Sequence, residues 1–116
     1  MIRAADFQRL ALALPGTTAA PHFDRTAFKA ARIFASLAPD GLTANLRFTP
    51  EDQALKCAVM PEGFTAISNA WGRQGWTCAT LAALDEADAA AALEIAWRHA
   101  QPPEKKKKRK PAAPGA

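Results

Sequence analysis

Pro39-Asp40-Gly41-Leu42-Thr43-Ala44-Asn45-Leu46-Arg47-Phe48 decides the fold class of this chain. Leu42, Ala44, Leu46 and Phe48 alternate with Thr43, Asn45 and Arg47. That period of two puts one face of a strand in a core and the other in water. Pro39-Asp40-Gly41 is a hairpin signal, so the strand returns antiparallel along the residues before it. Residues 26–30 and 32–38 read as two further short strands, with Ala31 as the turn between them. Residues 17–25 read as an irregular, extended approach.

Helices flank this sheet signal. Phe7, Leu10, Ala11 and Leu14 fall at i, i+3, i+4 and i+7, one apolar stripe of a helix over residues 4–14. Pro15 stops it and Gly16 supplies the turn. Thr49-Pro50-Glu51-Asp52 opens a short helix, with Thr49 as N-cap, Pro50 at the first helical position and two acids at the positive helix end. Pro61-Glu62-Gly63 ends it, and a loop of small residues leads to Trp71-Gly72-Arg73-Gln74-Gly75-Trp76. A last strand runs over residues 76–80. Asp85 caps a final helix whose stripe is Leu93, Ala96, Trp97 and Ala100, and Pro102-Pro103 terminates it. This order predicts an α+β two-layer sandwich, an antiparallel sheet with the N- and C-terminal helices on one face and the other face open.

Composition sets the limits. The chain has 116 residues, enough for one domain and one core. Of its 57 hydrophobic positions 29 are Ala, so ten Leu, six Phe, four Ile and three Trp carry most of the core. No apolar run reaches the ~18 residues that span a bilayer, and the N-terminus lacks a signal-peptide pattern. A cytoplasmic bacterial protein is the expectation, with nucleoid association as the option that a nucleic-acid-binding role would bring. Cys57 and Cys78 lie far apart with no CxxC and read as free thiols.

The net charge of +4 belongs to the C-terminus. Lys105, Lys106, Lys107, Lys108, Arg109 and Lys110 hold six of the fifteen cations, which leaves nine against ten acids in residues 1–103, a net of −1. The predicted division is therefore a domain over residues 1–101 and a solvated, disordered Lys/Pro/Ala tail over residues 102–116.

Several short motifs occur in one order: Leu14-Pro15-Gly16, His22-Phe23-Asp24-Arg25 with Ala27-Phe28, Ile33-Phe34-Ala35, Asp40-Gly41, Leu46-Arg47-Phe48 and Trp71-Gly72-Arg73-Gln74-Gly75-Trp76. Over roughly residues 5–100 this set resembles the MmcQ/YjbR family of small bacterial proteins. The resemblance implies a CyaY/frataxin-like sandwich and a DNA-binding role, and it carries no catalytic residues. The basic tail is outside the family pattern, and Arg32 stands where a Lys is common.

Two functions follow as expectations. In the first, the protein is a non-enzymatic nucleic-acid-binding module. The six tail cations contact phosphates without reading sequence, Lys29, Arg32, Arg47 and Arg73 orient the body, and Trp71 stacks. The near-neutral body counts against it. In the second, a small ligand or a protein partner uses a pocket formed by His22, Trp71 and Arg73 near the Trp71–Trp76 loop. The glycines of that loop serve tight turns or admit a ligand to the backbone, and Trp76 reads as a core anchor. His22 also reads as an ordinary structural histidine, since no nucleophile or second carboxylate is tied to it.

No cofactor and no metal are expected. Cys57, Cys78, His22 and His99 match no zinc spacing, and the first helix carries only Asp6 beside Arg3 and Arg9, not an acidic row for iron. No P-loop, GxGxxG or nucleophile elbow is present.

Overall fold

A computed structural model describes residues 1–101. Every predicted tail residue from Lys105 to Lys110 lies outside the described residues. Along the chain run α1 (Ala4–Leu12), β1 (Thr18–His22), β2 (Arg25–Lys29), β3 (Ile33–Leu37), β4 (Thr43–Arg47), α2 (Pro50–Val59), β5 (Phe64–Ala66), α3 (Ala70–Arg73), β6 (Trp76–Thr80) and α4 (Glu86–His99). The strands form one antiparallel sheet in the order β1-β2-β3-β4-β6-β5. The α+β two-layer arrangement read from the sequence is the one observed.

Alternation sorts the two faces of the sheet. Leu46 pairs with Ala35 on one side and Thr77 on the other, and Ala44 pairs with Leu37 and Ala79. All six are buried, and with Phe28 and Phe64 they make the face covered by α4, which packs on β3 and β4 and against α1. A β-bulge after Phe28 shifts the register, and both Phe34 and Ala35 end up buried. The opposite face carries the row Ala27, Ser36, Asn45, Cys78 and Thr65.

The helices form for local reasons and stay for packing ones. α4 starts in a reciprocal cap: Asp85 Oδ1 accepts from the Asp88 backbone N–H at 2.8 Å, and Asp88 Oδ2 accepts from the Asp85 N–H at 3.1 Å. The first of these bonds holds the Asp85 carboxyl below its ordinary value. Ala89, Ala92, Leu93, Ala96 and Ala100 form the buried stripe, and the alanines let the helix lie close to the sheet. Trp97 is half-buried, and its Nε1–H donates to the Pro15 carbonyl at 2.9 Å, tying α4 to the end of α1. Edge-to-face packing of Phe7 on Phe28, with ring centroids 5.9 Å apart, fixes α1 on the sheet.

At the start of α2, Thr49 Oγ1 accepts from the Asp52 N–H at 3.1 Å, as the sequence predicted. Thr49→Ala removes this cap and is expected to cost about 1 kcal/mol. In a domain of this size that is a fall of roughly 4–8 °C in a thermal melt followed by circular dichroism. An unchanged melting temperature would show that α2 needs no cap.

Three expectations are corrected. Residues 18–22 form a strand where an irregular approach was predicted. All five residues are exposed, so no apolar alternation marked the strand, and only its ladder with β2 reveals it. β5 and α3 lie where a loop was predicted, because elements of three and four residues are shorter than any readable period. The first helix ends at Leu12 and not at residue 14, although Leu14 still packs against the core.

Candidate functional site

The two-residue connection Phe23-Asp24 sets the site's geometry by placing His22 directly opposite Arg25. Phe23 has φ +60, and it is the one non-glycine residue among those described with positive φ. For a bulky side chain this conformation is strained. Its ring is 92% exposed and meets the His22 imidazole edge-to-face at 4.8 Å.

Arg25 is held from behind. Its Nε–H donates to Ser36 Oγ at 2.8 Å and Nη2 donates to the Ser36 carbonyl at 3.2 Å. These bonds occupy one edge of the guanidinium and leave the Nη1/Nη2 edge free to donate. The three ion pairs among the described residues join Arg9 to Asp6 and Glu86, and Arg98 to Glu94. Arg25 is in none of them.

The second wall comes from the segment after β5. Asn69 caps α3, its Oδ1 accepting from the Trp71 and Gly72 backbone N–H groups at 2.9 and 3.3 Å. Gln53 reaches across from α2 and donates Nε2–H to the Gly72 carbonyl at 2.9 Å and the Trp76 carbonyl at 3.0 Å. Gly72 is buried against the Ile67 carbonyl, and Gly75, at φ +112, lies against the Phe48 carbonyl. Trp71 is thereby fixed at its backbone while its ring stays 59% exposed.

Between the walls is an open cavity of about 410 Å³. The strands of the sheet supply His22, Arg25, Ile33, Ser36, Asn45 and Trp76 to its lining, and the segment between β5 and β6 supplies Ile67, Asn69 and Trp71. Among the described residues no carboxylate lines it. The Asn45 side chain makes no hydrogen bond with the described residues, so both ends of its amide are available.

Of the predicted site residues, His22 and Trp71 line this cavity. Arg73 is exposed on the last turn of α3 and is not in the lining. Lys29 is exposed at the other end of β2. Arg32 donates Nη2–H to the His99 carbonyl at 2.9 Å and so caps the C-terminus of α4. Arg47 is half-buried in register with Trp76, its Nε inaccessible and without an acceptor. Arg32 thus closes a helix, Arg47 is half-buried, and none of the four body cations lines the cavity. Sequence reasoning missed Arg25, Ser36, Ile33, Ile67 and Asn69, and it took Trp76 for core where it is half-buried and lines the cavity. The signal for Arg25 was present in His22-Phe23-Asp24-Arg25, because a two-residue hairpin turn brings its first and fourth residues face to face.

No family model and no curated protein matches this chain. Among solved structures it matches the crystal structure of Deinococcus radiodurans protein DR2400, described by the domain DUF419. The TM-score is 0.70 over 90% of this chain and 85% of that one, at 16% sequence identity. The two chains share a fold. At that identity the likeness shows the fold alone.

The MmcQ/YjbR assignment is corrected accordingly, since the match is described as DUF419 and not as MmcQ/YjbR or CyaY. The DNA-binding function that this resemblance implied is withdrawn with it, as the matched protein's description carries no such role. The motifs that suggested the family also serve general structural ends: Pro-Gly after a helix, Asp-Gly in a hairpin, and apolar residues alternating along strands. Among the described residues no helix is long and apolar enough to cross a membrane, and no three His, Cys, Asp or Glu side chains are grouped to hold a metal ion.

Proposed function

We propose that the domain is a binding module, not an enzyme, and that it takes a small amphipathic molecule in the cavity between the sheet and Trp71. One observation carries this reading: Arg25 is held by two hydrogen bonds to Ser36 in a cavity of about 410 Å³, with a donor edge free and, among the described residues, no carboxylate in the lining. A fixed, uncompensated cation in a concave site favours an anionic group on the ligand. The indoles of Trp71 and Trp76 and the side chains of Ile33 and Ile67 supply apolar area for the rest of the molecule.

The test is a two-dimensional NMR screen of the full chain with a library of small organic fragments. Hits are expected to shift the signals of Arg25, Asn45, Asn69 and the Trp71 indole together. Trp71→Ala, at an exposed side chain, is expected to keep the fold and weaken those hits several-fold. A screen in which no fragment moves this group of signals overturns the reading. So does a Trp71→Ala variant that binds every hit unchanged.

A further inference from the structure

Resting on that reading, we infer the ligand class: a single planar ring system carrying one carboxylate. Charge decides the anion. Among the described residues Arg25 is the one Lys or Arg side chain in the cavity lining. A carboxylate matches one fixed positive charge. A phosphate monoester carries about −1.5 to −2 at pH 7 and would bring excess negative charge into a partly desolvated site.

Hydrogen-bond geometry agrees. Because Ser36 takes the Nε side of Arg25, the remaining edge presents Nη1–H and Nη2–H side by side, the fork that donates to two carboxylate oxygens. The α3 terminus offers no rival anion site, since Asn69 Oδ1 already takes the Trp71 and Gly72 N–H groups. Asn69 and Asn45, both in the lining, each carry an amide NH₂ as a further donor.

Shape decides the remainder. Trp71 keeps an exposed ring held on a fixed backbone, and Trp76 lies deeper in the same lining. Flat rings pair with indoles by offset stacking or edge contact, which a puckered aliphatic ring reproduces poorly. At 410 Å³ the cavity is near the lower end of ligand sites, room for one ring system and a short acidic arm.

The experiment titrates four matched probes into the full chain and follows the Arg25 Nε–H and Trp71 indole N–H signals by NMR. Phenylacetate is expected to bind about tenfold or more tightly than uncharged phenylacetamide, the loss typical of a charge-assisted hydrogen bond. It is expected to exceed cyclohexylacetate several-fold, and phenyl phosphate is expected to bind more weakly than phenylacetate. Equal binding of the amide overturns the anion, equal binding of cyclohexylacetate overturns the planar ring, and tighter phenyl phosphate overturns the carboxylate. In each of those cases the cavity still binds, so the broader reading stands. If no probe moves the signals while screening fragments do, the ligand class alone falls. If neither does, both fall.

Discussion

Gly72→Ala is expected to leave the chain largely unfolded at 37 °C. A Cβ at that position would overlap the carbonyl oxygen and carbon of Ile67, which are backbone atoms with no rotamer to retreat into. Relieving the overlap means moving either the end of β5 or the whole of α3, and with it the two bonds from Gln53. The expected loss is about 4 kcal/mol or more, a large share of the ~5–15 kcal/mol that holds a domain together. Gly75→Ala combines a similar overlap with the Phe48 carbonyl and a φ of +112, and is expected to be at least as damaging. Gly16→Ala is the control. Gly16 also has positive φ, +74, yet nothing lies within 4 Å of the added methyl. Its cost should be the conformational one alone, about 1 kcal/mol. Thermal melts by circular dichroism separate the cases, and a Gly72→Ala protein that melts with wild type would disprove the close approach that fixes Trp71.

Arg25→Gln is expected to lower phenylacetate affinity more than tenfold, because it removes both the charge and the free donor edge. It also strips the half-buried Ser36 pair of its donors, so a stability loss of about 1–2 kcal/mol should accompany it. Arg25→Lys separates the two effects. An ammonium keeps the charge but cannot grip Ser36 along one edge while presenting another, so affinity should fall to an intermediate value. Lys29→Gln, at the exposed far end of the same strand, should change neither property. Unchanged phenylacetate binding in Arg25→Gln, with the fold intact by NMR, would remove Arg25 from the site.

The elements that the sequence made legible are those whose burial follows a period. The β4 alternation, the Thr49 and Asp85 caps and the Leu93, Ala96 and Ala100 stripe on α4 all appear as read. β1, β5 and α3 escaped because nothing in them repeats. β1 is exposed throughout, and the other two are a single turn or less of pattern. The site was half legible for the same reason. His22 and Trp71 drew notice as chemically conspicuous residues, whereas Arg25, Ser36 and Asn45 become neighbours only through the register β2-β3-β4. Counting cations on neighbouring strands gave Lys29, Arg32 and Arg47. Registering those strands leaves Arg25 as the cation of the cavity.

The strand order carries a consequence for biosynthesis. β6 occupies the place beside β4, yet it is made after α2, β5 and α3. In the interval between the emergence of β4 and that of β6 from the ribosome, the β1–β4 meander has a free edge at β4, with Ala44 and Leu46 facing a layer that α4 has not yet supplied. A half-made chain therefore shows the ribosome's surroundings an unpaired strand beside uncovered apolar side chains, the combination that recruits holding chaperones or another nascent copy. One late strand closes the sheet, and the last helix seals it.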